Sequence, residues 1–102
     1  MALTVEKRDR IARVTLDRPP VNAITLDIYA EIGDVFESAA GWDDVNCIVF
    51  TGAGSRAFCA GLDLHEFLAA TVDEAPKRAA VIRRTFTAVR TAAVPVIARV
   101  TG

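Results

Sequence analysis

Histidine occurs once in this sequence and cysteine twice, at Cys47 and Cys59, with no paired C-x-x-C spacing. That scarcity argues against a disulfide framework and supplies no ligand set for zinc, so no metal is expected. Charge of one sign is also missing: twelve basic and thirteen acidic residues are interspersed, for a net charge of −1. With no basic stripe to meet a phosphate backbone, nucleic acid is not an expected partner. Long hydrophobic runs are absent too. The longest towards the C-terminal end, AAVPVIA at residues 92–98, falls far short of the roughly 20 residues of a membrane span. The opening MALTVEKRDR carries charge where a signal peptide would be apolar. The expectation is a cytoplasmic protein with no membrane association.

What is present is apolar: 52% of 102 residues. That argues against disorder and for one domain, or part of one. A chain this short buries only about 60–65% of its unfolded surface. The apolar excess therefore points to surface that meets further chain or further subunits.

Residues 3–7 and 10–17 alternate apolar and polar, with β-formers Ile11, Val14 and Leu16, and predict an antiparallel hairpin. Arg18-Pro19-Pro20 stops the second strand, because proline offers no N–H and extends its predecessor. From Thr25 to about Ala40 the period changes. Ile28, Tyr29, Ile32, Val35, Phe36 and Ala39 form one helical stripe, with Thr25 as N-cap, Asp27 at the positive end and Gly41 as the stop. Residues 46–51 (NCIVFT) read as a strand covered on both faces. Residues 62–69 read as a short helical turn. Thr71 and Glu74 have capping-box spacing before a helix over about 75–92, with Ile82, Phe86, Val89 and Ala93 on its apolar stripe. Residues 94–101 (VPVIARVT) read as a second buried strand. The order β-β-α-β-α-β predicts an α/β architecture with right-handed crossovers.

The stretch NCIVFTGAGSRAFCAGLDLHEF at 46–67 carries the chemistry. Glycines at 52, 54 and 61 allow close backbone approach and positive φ. A helix starting near Leu62 would leave the N–H groups of Ala60 to Asp63 free, aimed at a developing negative oxygen. A glycine-rich turn that merely reverses the chain is the simpler alternative. A third reading takes Gly52, Gly54 and Ala57 as the dinucleotide fingerprint G-x-G-x-x-A, with Asp73 or Glu74 as its acidic residue. Gly61 counts against it, because it breaks the helix that fingerprint needs.

Three stretches together resemble the crotonase superfamily, the enoyl-CoA hydratase/isomerase family. LDRPPVNAITLDIYAEI is similar to its RPxxNA segment, AFCAGLDL to its AFxAGxDL loop, and VPVIARVTG to its PVIAxVxG strand. The resemblance covers nearly the whole chain in order. It implies a crotonase-type (ClpP/crotonase) fold of stacked β-β-α units, with residues 1–102 as the N-terminal part of a single domain. It further implies an enzyme, a lyase or isomerase of acyl-CoA metabolism. Two main-chain N–H groups would hold a thioester oxygen and stabilise an enolate, most commonly during hydration of a 2-enoyl-CoA. Double-bond isomerisation, suggested by Leu62, and a non-catalytic scaffold or binding subunit are the alternatives.

Coenzyme A belongs to the substrate, so no separate cofactor is implied. Carried over residue by residue, the first oxyanion donor would be the N–H of Ala60. Gly61, Leu62 and Asp63 would line the CoA side, with Asn22 and Ala23 beside the nucleotide or pantetheine arm. The second donor and the acid/base carboxylates of the family lie past the PVIAxVxG strand. The expected partners are therefore an acyl-CoA, the C-terminal remainder of the same protein, and sister subunits in a trimer or dimer of trimers. Alone, the chain is expected to be inactive: one missing donor costs about 10²–10³ in rate. The remaining reactive side chains read as structural or solvated. These are His65, the Asp63–Glu66 pair, Cys59, Trp42, Tyr29 and the basic Lys7, Arg8 and Arg10.

Overall fold

The computed structural model describes residues 2–102. Strands β1 (Leu3–Arg8) and β2 (Ile11–Leu16) form the expected hairpin, in register from Leu3↔Leu16 to Arg8↔Ile11. Asp9 and Arg10 turn it, both at positive φ (53° and 67°), the geometry of a two-residue primed turn that matches strand twist. Ala12, Val14 and Leu16 are fully buried while their neighbours face outward, so β2 presents one apolar face to the core.

Helix α1 (Leu26–Ser38) starts where Thr25 Oγ1 accepts the Ile28 N–H. Ile28, Tyr29, Ile32, Phe36 and, just past the helix, Ala39 are buried against the sheet, as their spacing predicts. Strand β4 (Cys47–Gly52) pairs parallel with β2, and β6 (Val96–Arg99) pairs parallel with β4, giving the order β1-β2-β4-β6. Phe50 of β4 packs its ring 5.3 Å from Phe36, centroid to centroid, closing the sheet onto α1. A separate two-stranded ladder joins β3 (Ala23–Ile24) to β5 (Gly61–Leu62), also in parallel. Helices α2 (Leu64–Ala69) and α3 (Ala75–Arg90) complete the chain.

Four expectations are corrected. The helix read over 62–69 starts only at Leu64, because Gly61 and Leu62 pair with β3 as strand β5. β6 is not a buried strand: Ile97 and Val100 are 54% and 66% exposed. It is the sheet edge, paired with β4 on one side only. The buried face of α3 is only partly the stripe through Ile82, Phe86 and Val89, of which Ile82 and Val89 pack half-buried against the core. Arg78, Thr85 and Ala88 are buried, and Phe86 is 61% exposed. Small side chains let α3 approach α1, where Thr85 Oγ1 donates to Tyr29 O at 2.6 Å and Arg84 reaches Asp34 and Glu37. Lastly, Thr71 does not cap α3. It precedes a short 3-10 turn (Val72–Glu74), and its hydroxyl bonds the Glu74 carboxylate instead of a backbone N–H.

No helix among the described residues is long and apolar enough to cross a membrane.

Candidate functional site

β2, β4 and β6 are parallel neighbours, so their carboxyl ends lie on one side of the sheet, the side on which open α/β sheets place ligands. The segments leaving those ends converge. Arg18 to Asn22 follow β2, the loop 53–60 follows β4, and Gly102 lies against Arg56 and Ala57 beyond β6. Gly52 is required at the start of the loop because a Cβ there would sit 2.3 Å from Phe58 O. No helix follows Ala57, since α2 begins only at Leu64. The turn therefore lacks the element a dinucleotide fingerprint needs.

The structure brings all six sequence-nominated residues together. Parallel pairing sets Ala23 beside Gly61 and Ile24 beside Leu62, with Asn22 before the first pair and Asp63 after the second. Ala60 adjoins them, but its N–H donates to Val21 O at 3.1 Å and less closely to Asn22 O. That amide is taken by an internal bond and is not a free donor. Gly61, at φ +86°, turns its N–H onto Cys59 Sγ at 3.3 Å. The Asp63 N–H donates to Ile24 O at 2.9 Å. Alternate residues of a strand direct their N–H groups to opposite sides. The Leu62 N–H, next to the Asp63 bond, is therefore directed away from β3, the one strand paired with β5. Of the four amides expected to be free, Leu62 is the one outside these internal bonds.

Asn22 and Asp63 are likewise not open contacts. Asn22 is 2% exposed. Its Oδ1 accepts the Arg18 N–H, and its Nδ2 lies within hydrogen-bond distance of the carbonyls of Ala53, Ala57 and Phe58. The carboxamide is thus a clamp across the loop, held at φ +56° where asparagine is tolerated. Asp63 caps α2 by accepting the Glu66 N–H at 2.9 Å and pairs with Arg18 Nη1 at 2.8 Å. The capping N–H and then the Arg18 guanidinium hold its carboxyl below the usual aspartate range. Glu66 accepts the Leu26 N–H at the start of α1 and lies 3.4 Å from Arg78.

Sequence reasoning missed Arg18, Glu66 and Arg78 as parts of this assembly. Their partners lie 12 to 45 positions away in sequence, and no local pattern announces them. His65 is exposed, and no group of three His, Cys, Asp or Glu side chains among the described residues could hold a metal. Lys7, Arg8 and Arg10 engage Asp44, Asp9 and the Asp43 carbonyl, away from the loop.

An apolar cavity of about 970 Å³ opens beside the loop. It is lined by Cys59, Gly61, Tyr29, Phe50, Phe58 and Phe86 among others. Burial, and then the nearby Cys59, raise the Tyr29 hydroxyl above its ordinary pKa.

Known proteins resemble the chain in both sequence and fold. The family model for enoyl-CoA hydratase/isomerase matches residues 6–102. The EchA14 protein of Mycobacterium tuberculosis is 38% identical over 101 residues, covering 98% of this chain and 38% of that protein. The carnitinyl-CoA dehydratase of Proteus mirabilis is 39% identical over 75 residues, 74% of this chain and 28% of that one. A crystal structure of an enoyl-CoA hydratase/carnithine racemase from Magnetospirillum magneticum superimposes on the whole chain. Its TM-score is 0.92 at 31% identity, and 39% of its own length is covered. The enoyl-CoA hydratase of Bacillus anthracis gives 0.92 at 26% identity, with 40% covered. The chain thus spans about two fifths of the solved structures it matches. On fold, loop and family match together, the chain belongs to the enoyl-CoA hydratase/isomerase family.

Proposed function

We propose that this chain carries one half of an acyl-CoA thioester site, in which the N–H of Leu62 donates to the thioester oxygen as negative charge develops there. The single observation behind this reading is the set of internal bonds at Ala60, Gly61 and Asp63, which leaves the Leu62 amide outside them. A main-chain donor fixed between bonded neighbours needs no reorganisation when the oxygen becomes an oxyanion. The apolar cavity that Cys59 and Gly61 help to line offers a surface for the acyl portion.

The reaction we assign is hydration of a 2-enoyl-CoA, in which water adds its oxygen to C3 and a proton to C2. Asp63 and Glu66, the nearby carboxylates, are both engaged in capping and ion pairs. The proton-transfer group and the second oxyanion donor are therefore assigned to polypeptide outside these 102 residues, supplied by the rest of a longer chain or by a partner. Isomerisation of the double bond would use the same Leu62 donor with a different acid/base pair. On this reading the 102-residue chain binds thioester without turning it over, within a cytoplasmic enzyme that assembles as a trimer or dimer of trimers.

Titration calorimetry and amide NMR with butyryl-CoA, a saturated thioester, test the binding. We expect butyryl-CoA to bind more tightly than free CoA, NAD to give no heat, and the Leu62 amide resonance to move. Leu62→Pro removes the donor and should weaken binding about tenfold, the worth of one hydrogen bond of about 1.4 kcal/mol. A response to NAD with none to butyryl-CoA would overturn the reading.

A further inference from the structure

The Leu62 N–H is held by its neighbours, and beyond their own backbone bonds one guanidinium ties them together. Arg18 Nη1 donates to Ala23 O at 2.9 Å and to Asp63 Oδ2 at 2.8 Å. Ala23 is the β3 residue paired with Gly61, directly before Leu62, and Asp63 follows Leu62 directly. One side chain therefore ties the strand on one side of the donor to the residue on its far side. The two-residue ladder it braces is otherwise minimal, because β3 and β5 are each two residues long. An ordinary exposed ion pair contributes little. This one reaches a carboxyl that is 14% exposed and simultaneously holds a backbone carbonyl, both through Nη1; the planar guanidinium fixes the directions of that nitrogen's two N–H groups, whereas a lysine ammonium rotates freely on its stem. The backbone of Arg18 belongs to the same brace, since its N–H donates to Asn22 Oδ1 and its carbonyl accepts the Asn22 N–H.

We propose that Arg18, acting through Asp63 and Ala23, is a positioning residue that sets the direction of the Leu62 N–H. The inference rests on the thioester reading above and adds to it a residue that never touches substrate. Small displacements of a fixed donor weaken the interaction it makes with a reacting oxygen far more than they weaken the fold. Removing Arg18 should therefore act on ligand binding and local exchange while leaving the sheet intact.

The test measures hydrogen exchange and butyryl-CoA affinity in Arg18→Ala, Arg18→Lys and Asp63→Asn. Asparagine still caps α2, so Asp63→Asn removes the charge partner and keeps the helix start. In all three variants the amides of β2, β4 and α1 are expected to keep their exchange rates. The Asp63 amide should exchange at least about tenfold faster and butyryl-CoA affinity should fall at least about fivefold, a loss of ~1 kcal/mol. Arg18→Lys is expected to recover less than half of that loss. The double variant Arg18→Ala with Asp63→Asn should be no weaker than Arg18→Ala alone. Unchanged affinity and an unmoved Leu62 shift in Arg18→Ala would overturn the positioning role and leave the thioester reading standing. Failure of the unsubstituted protein to bind butyryl-CoA would overturn the thioester reading and this role together. Full rescue by lysine would show that charge alone suffices and would refute the brace.

Discussion

Asn22 shows how much a single side chain can fix. Its carboxamide bridges the end of β2 to the carbonyls of Ala53, Ala57 and Phe58 from a 2% exposed position. Asn22→Ala strips those carbonyls of their donor, and each unsatisfied buried group costs about 1–3 kcal/mol. A net loss of about 3 kcal/mol is expected as a lower urea midpoint with an unchanged slope. Asp63 carries a pH signature. Its carboxyl is depressed by the Glu66 N–H and the Arg18 guanidinium. A depressed acid stabilises the fold above its unfolded value and loses that contribution as pH falls through the folded value. The Arg18 brace should therefore be intact at pH 5 to 8 and lost below the usual aspartate value of about 3.9. Exchange of the Asp63 amide as a function of pH checks this, and Asp63→Asn should abolish the step. The site was legible in sequence as a place but not as a set of donors. The small residues and Gly61 marked the loop, whereas the bond that takes the Ala60 N–H comes from Val21, 39 positions earlier.

At the scale of elements, α1 followed its sequence closely because every signal agreed. Its cap, its acidic first turn and its 3.6-residue stripe all describe one helix against one sheet. Thr25→Ala should cost about 1 kcal/mol, seen as a drop in melting temperature with no change in the rest of the amide spectrum. For α3 the apolar stripe was half of the answer, since Ile82 and Val89 pack on the core and Phe86 does not. The helix docks on α1 through Thr85 and Ala88, while Phe86 is turned to the open cavity with its ring 6.2 Å from Tyr29. Periodicity identifies an apolar face without saying what covers it, and here the most deeply covered positions are Thr85 and Ala88, with Ile82 and Val89 half-buried beside them. Thr85→Val keeps the shape but removes the donor to Tyr29 O. It should destabilise the α1–α3 contact by about 1–2 kcal/mol, measured as faster exchange confined to those two helices.

At the scale of the molecule, apolar surface is unevenly distributed. Ile97 and Val100 at the β6 edge and Phe86 beside the cavity are exposed together with the open margin of that strand, an arrangement that invites association. Sedimentation of the 102-residue chain should show concentration-dependent self-association that Ile97→Lys reduces, because lysine on an edge opposes pairing. The α/β class and the four strands of the main sheet were readable from alternation of the two periods, whereas the two-residue β3 and β5 are too short to carry a period. The edge position of β6 was not, because a run such as VPVIARVT is equally apolar at the margin or the centre of a sheet. The hairpin adds a consequence for how the chain assembles. β2 meets β1 across a two-residue turn, yet its other neighbour, β4, arrives only after a whole helix has been traversed. Closing a hairpin takes about 1–10 μs, whereas distant parallel pairing must first overcome the entropy of a long loop. Early in refolding, β2 is therefore satisfied along one margin and open along the other, so dilution should favour recovery of the native chain over clumping.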